Sequence, residues 1–97
     1  MFVNIVEFPA IAEGHDEDFR AWFAASNEAF GRFPGFISRQ LLRPAGGQGG
    51  YVAIVVHESA DTFGRMQQST ERGQAWEQVS RFLTGTPRPR FFEIVVG

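Results

Sequence analysis

The stretch "FVNIVEF", residues 2–8, is apolar on both of the faces a strand presents, with one amide, Asn4, set among Phe2, Val3, Ile5 and Val6. Side chains alternate between the two faces of a strand, so a sheet with one wet face shows a polar residue at every second position. This segment does not, and it requires cover on both faces. The same is true of "YVAIVVHE" (51–58) and "FFEIVV" (91–96), where Val52, Ile54, Val56, Ile94, Val95 and Val96 leave no consistently polar side.

Outward from that strand, Pro9 closes the run and "AEGHDED" (12–18) places acids where they complement a helix dipole. A helix is predicted over about 16–32, with Phe19, Trp22, Phe23, Ala29, Phe30 and Phe33 near one stripe. "FPGF" (33–36) ends it. "FISRQLLRP" (36–44) and "YVAIVVHE" read as strands joined by "AGGQGG" (45–50), a φ-permissive connection suited to a hairpin. No Lys-Ser/Thr pair follows those glycines and the loop feeds a strand, which argues against a phosphate-binding loop. "SADTFGRMQQS" (59–69) reads as a Ser-capped short helix and "TERGQAWEQVSRFL" (70–83) as a second. "TGTPRPR" (84–90) reads as loop, and 91–96 as the final strand.

The order strand, helix, strand, strand, helix pair, strand implies an α+β, ferredoxin-like domain, two split βαβ units sharing one four-stranded antiparallel sheet. Helices cover one face. The residual apolar face calls for a second copy of the sheet.

The 97 residues are expected to form a single domain over 1–97, and 43% hydrophobic content with eleven Phe and two Trp is a large apolar load for that length. A net charge of −2 gives no basic excess for a nucleic-acid footprint. The absence of Cys excludes disulfides, thiolate nucleophiles and Cys-ligated metals. No apolar run has membrane-spanning length and no signal core is visible, so the expectation is a cytoplasmic protein without membrane or nucleic-acid partners.

"FPGFISRQLLRP" (33–44), the "HES" that closes the third strand, the following "ADTFGRM" and the closing "FFEIVV" together resemble the antibiotic biosynthesis monooxygenase family of the dimeric α/β-barrel superfamily. The resemblance implies ferredoxin-like protomers that dimerise through their sheets into a β-barrel, each with a pocket between sheet and helices. One branch of that family oxidises aromatic polyketides with dioxygen and no cofactor. Another binds haem and cleaves it. Against the haem-cleaving branch, Asn4 falls on the pocket Asn, Met66 on the expected Trp and Trp76 on the expected ligating His; an indole offers iron no lone pair. Against the other branch, Ala53 and His57 stand where an Asn and a Trp are expected.

With the first and third strands antiparallel, Asn4 is expected near His57, and the resemblance implies that both face the helices. An imidazole titrates near neutrality and can take a phenolic or activated C–H proton, while an amide can hold an oxyanion or a peroxy group. The alternative is that the two side chains simply satisfy each other at the end of the sheet. The sequence reading is therefore a homodimeric, cofactor-independent monooxygenase for an aromatic or quinol-type small molecule. His57 and Asn4 are its catalytic candidates, and Trp22, Phe23, Ser26, Met66 and Trp76 its substrate-binding ones; no metal is expected. Haem binding or degradation with altered ligands, His57 or His15, is one alternative, and a non-catalytic small-ligand-binding dimer another. His15, beside Asp16 and Glu17, reads as a solvated capping residue at a helix start. Arg39 and Arg43, on the side of Ile37 and Leu41, are read as dimer salt-bridge partners of Glu7 or Glu93; a substrate carboxylate is the other role open to them.

Overall fold

The computed structural model describes residues 1–47 and 49–97. The elements are β1 (Phe2–Glu7), α1 (Asp16–Phe30), β2 (Phe36–Leu42), β3 (Val52–His57), α2 (Ala60–Gln67), α3 (Thr70–Val79), a 3-10 turn (Ser80–Phe82) and β4 (Arg88–Glu93). The strands form one antiparallel sheet in the order β2-β3-β1-β4, the ferredoxin-like arrangement. β1 and β3 are central and hydrogen-bonded along both edges, and the helices cover one of their two apolar faces.

The helices start where the sequence supplies caps. Asp16, Glu17 and Asp18 fill the first turn of α1, and the Ser59 hydroxyl accepts from Thr62 N at 3.2 Å to begin α2. Phe19, Phe23, Ser26 and Phe30 form the buried stripe of α1. Two apolar clusters fill the space between helices and sheet. Phe30, Val55, Phe63 and Met66 form one, and Phe19, Tyr51 and Val79 the other.

The opposite face of the sheet carries Val3, Ile5, Ile54 and Val56, in register with one another, and continues to exposed Leu42 and Phe92. Nothing in the described chain covers it with a helix. The connection 45–50 joins β2 to β3 as expected; Gln48 within it lies outside the described residues.

Two boundaries differ from expectation. The last strand is Arg88–Glu93, not 91–96, and Val95 and Val96 are 88% and 89% exposed. Pro89 has no N–H to give, but β4 pairs only with β1 at the sheet edge, where a missing donor is tolerated. Arg88 thereby comes 3.7 Å from Glu7 instead of lying in a solvated loop. The second difference is a register shift between Phe36 and Ser38. It lets Phe36 pack in the core while Ile37 stays 43% exposed, and it leaves Arg39 opposite Val55 and Leu41 opposite Ala53, on the helix side. Arg39 is thus turned away from the bare face, where Glu7 lies, and Glu93, opposite Phe2, is on the helix side too, so neither is placed to meet it across two packed sheets.

Candidate active site

Between sheet and helices lies a cavity of about 420 Å³. Asn4 and Val55 contribute to it from the central strands, Arg39 from β2, Trp22 from α1, Met66 from α2 and Trp76 from α3. The wall is apolar and aromatic with a few polar groups, the general pattern of a small-molecule site.

Asn4 is 5% exposed and its Oδ1 meets no donor. A buried acceptor left unpaired costs about 1–3 kcal/mol, so an amide oxygen held beside a cavity suits a ligand that brings an N–H or O–H. Asn4 lies between Val55 and Phe91 in the sheet register. Its position in a central strand makes it rigid.

His57 lies on the same face as Asn4, paired with Phe2 at the end of β3. It is fully buried, edge-on to Phe36 at 5.8 Å and to Phe63 at 5.6 Å. Its Nδ1 is 3.1 Å from Thr62 Oγ1. The Thr62 hydroxyl has a single hydrogen, which it gives to Ser59 O at 3.0 Å, so the imidazole donates from Nδ1 and Nε2 keeps its lone pair. That Nε2 is buried and without a partner. Burial pushes the imidazole below its ordinary range, against a smaller opposing pull from Glu58, and it is neutral at pH 7. His57 is not part of the cavity wall; Phe63, against which it packs, is. No hydrogen bond joins His57 to Asn4, and each retains an orphaned atom. Mutual satisfaction is therefore not the reason either residue is there.

Of the remaining candidates, Trp22, Met66 and Trp76 stand in the wall. The Trp22 indole is fixed by donating to Ala75 O at 2.9 Å, and Trp76 is 39% exposed beside Arg72. Phe23 and Ser26 do not line the cavity. Ser26 Oγ donates to Phe23 O at 2.8 Å, and both serve to hold Arg39. His15 sits at the start of α1 without capping it, 3.0 Å from Asp18 and stacked on Phe82, away from the cavity.

Arg39, for which the sequence leaves a salt bridge to a partner or a substrate carboxylate open, stands in the wall, as does Arg72, which the sequence did not single out. Arg39 Nη1 donates to Ser26 Oγ at 2.6 Å, Asn27 Oδ1 at 2.7 Å and Phe23 O at 3.3 Å. Its guanidinium lies 3.9 Å from the Phe23 ring centre and 4.9 Å from that of Phe30. Burial lowers it to about 10, so it remains a cation. The available signal was its spacing from Leu41, a core residue two positions on.

Among the described residues no group of three or more His, Cys, Asp or Glu is placed to hold a metal ion. Haem iron would need an axial donor. The cavity wall has no imidazole, thiolate or phenol, His57 stands behind Phe63, and His15 is elsewhere. With Phe63 in this position the wall offers haem iron no histidine ligand.

Comparison with known proteins agrees with the architecture. A family model described as antibiotic biosynthesis monooxygenase matches residues 1–78. The chain belongs to the antibiotic biosynthesis monooxygenase family. Among solved structures it is similar to SnoaB, a cofactor-independent oxygenase from Streptomyces nogalater, at 25% identity and a TM-score of 0.80, covering 99% of this chain and 92% of that one. It is similar as well to a variant of MhuD with two manganese protoporphyrin IX molecules bound per active site, at 26% identity and a TM-score of 0.82, covering 100% and 97%. Rv0793 from Mycobacterium tuberculosis shares the fold at 19% identity and a TM-score of 0.80, covering 99% and 95%. No curated protein sequence matches the chain. No helix among the described residues is long and apolar enough to cross a membrane.

Proposed function

We propose that the protein is a cofactor-independent monooxygenase that oxidises an aromatic or quinol-type small molecule with dioxygen. The single observation that carries this reading is Asn4, a rigid buried amide with an unpaired oxygen beside an aromatic-walled cavity. Family membership and the likeness to a cofactor-independent oxygenase support monooxygenase chemistry. Deprotonating a dihydroxyaromatic yields an electron-rich anion that reacts with dioxygen directly, so the protein must supply orientation and a proton acceptor and little else. Asn4 would hold the ring hydroxyl by accepting its hydrogen. His57, neutral with a free Nε2 lone pair one ring behind the wall, would be the base, reached when the Phe63 side chain turns aside.

Oxygen uptake and quinone formation from a panel of hydroquinones and anthrones should fall about 100-fold in both Asn4→Ala and His57→Ala. Wild-type rates in both variants would refute the assignment. Tight ligand retention by the wild type with no oxygen uptake would instead favour a non-catalytic binding protein.

The reading extends to a homodimer formed through the bare sheet face. It is supported by half-buried Ile5, Ile54 and Val56 beside exposed Leu42 and Phe92, an apolar stripe that a lone protomer leaves partly in water. Sedimentation equilibrium at micromolar concentration should give twice the chain mass, and a monomer there would exclude the assembly.

A further inference from the structure

We propose that the cavity binds an aromatic carboxylate, held by the Nε–Nη2 edge of Arg39; this rests on the cavity being the substrate site and names the class of substrate it takes. Three observations support the assignment.

The first is uncompensated charge. Arg39 is a half-buried cation, yet the arginine ion pairs among the described residues, Arg20–Asp16 and Arg88–Glu7, do not include it. Its partners are a carbonyl, a hydroxyl and an amide oxygen, all neutral. The cavity wall adds a second cation, Arg72, and contains no Asp or Glu. A cation drawn partly out of water favours an anionic partner, and the space beside this one is about 420 Å³.

The second is geometry. All three side-chain bonds leave from Nη1, and the orientation of each partner is set independently: Ser26 Oγ gives its hydrogen to Phe23 O, and Asn27 Nδ2 donates to Arg39 O at 3.3 Å. One corner of the guanidinium is therefore anchored to α1, and the Nε–Nη2 edge forms no side-chain hydrogen bond among the described residues. Two parallel N–H groups on a planar edge match the two oxygens of a carboxylate.

The third is the surroundings. Phe23 and Phe30 cover the guanidinium, and Trp22 lies 5.6 Å away, so water is displaced from it and a charge-assisted bond there is strengthened. Trp22 and Trp76 provide flat walls for a ring carrying that carboxylate, and Asn4 Oδ1 would accept from a hydroxyl on the same ring. Anchoring β2 to α1 explains the Nη1 contacts alone. It does not explain a wall with two cations and no acid.

The chain's two tryptophans both line the cavity, so their fluorescence reports its occupancy. The probes are 2-naphthoate, its neutral analogue 2-naphthamide, and 2-naphthol. Wild-type protein at neutral pH should bind the acid tenfold or more tightly than the amide, the size expected of one bidentate charge-assisted contact. Arg39→Met should bring that ratio near one, and Arg39→Lys, which keeps the charge without the fork, should give an intermediate ratio. If Arg39→Met fails to fold, the Arg39→Lys ratio decides. A wild-type ratio near one, an unchanged ratio in Arg39→Lys, a preference lost in Arg72→Gln but kept in Arg39→Met, or tighter binding of 2-naphthol than of the acid would each overturn the proposal. The outcome is separate from turnover: acid-selective binding without oxygen uptake would remove the monooxygenase reading alone, and oxidation of neutral quinols without acid preference would remove this one alone.

Discussion

Replacing Gly35 by Ala is expected to destabilise the protein by about 3 kcal/mol or more, combining left-handed backbone strain with overpacking. Gly35 has φ 83°, a conformation that L-residues with a Cβ rarely adopt, and a Cβ built there would overlap the Thr62 side chain. Thr62 cannot easily retreat, because its backbone N–H and its hydroxyl are both bound to Ser59 in the cap of α2. Gly35 O also accepts from Glu58 N at 2.8 Å, tying the turn before β2 to the end of β3. The added methyl therefore pushes on the cap, the turn and the hydroxyl that orients His57 at once. Urea denaturation followed by circular dichroism should show a much lower midpoint, whereas Gly73→Ala, in the exposed interior of α3 with open space around its Cα, should match or slightly exceed wild type. Equal midpoints for Gly35→Ala and wild type would mean that the turn can reshape without cost.

That contact also supplies the physical reason for the "FPGF" stretch. The helix stop is readable from Pro34 and Gly35 alone, but the close approach of Gly35 to Thr62 is not, since the two lie far apart in sequence and meet only when α2 packs beside the β2 start. The central strands are readable because their apolar residues fall on both sides, Val3, Ile5 and Ile54 on the bare face and Val6, Ala53 and Val55 toward the helices. Ser59 announced α2 for a similarly local reason, since a cap acts on its own third residue.

What stayed hidden depends on long-range geometry. The extra residue at Ile37 shifts the pairing of β2, and no composition signal marks a bulge. The direction of Arg39 is set by Phe23, Ser26 and Asn27 on α1, so the sequence alone leaves a partner protomer and a substrate carboxylate both open and does not show the partners within the same chain. His57 was correctly placed on the face of Asn4, but period-2 alternation says nothing about which ring will stand between it and the cavity. Phe63 takes that place because α2 presents it and Met66 to the sheet. The final strand is readable from 91 on, but its start at 88–90 is not, because Pro89 reads as a strand breaker until β4 is known to be an edge.

Phe19→Ala should lower stability by about 3–5 kcal/mol, the usual loss when a buried Phe is truncated, and for a chain of this size that corresponds to a drop in Tm of roughly 15 °C or more. Phe19 is fully buried, edge-on to Phe8 at 5.1 Å, stacked on Tyr51 at 5.1 Å, and 5.6 Å from the Trp22 ring. It joins β1, the start of β3 and α1 in one cluster, with Val79 closing it from α3. The vacated volume is bounded by rings that are themselves anchored: Trp22 by its bond to Ala75 O, and Tyr51 by its hydroxyl to Arg20 and Asp16. Such a site collapses poorly, which places the expected loss toward the upper part of that range. Because total stabilities of small domains are about 5–15 kcal/mol, the variant should be marginal at room temperature. Phe92→Ala is the informative contrast. Phe92 is 39% exposed on the bare sheet face and has only Arg90 stacked against it, at 5.1 Å, so in a lone protomer its truncation should cost under about 1 kcal/mol. If two sheets pack together, the same change removes apolar area from their interface, and its effect on Tm should grow with protein concentration while that of Phe19→Ala stays the larger throughout. A small Phe19→Ala effect at every concentration would mean that the second cluster is not what joins α1 and α3 to the sheet.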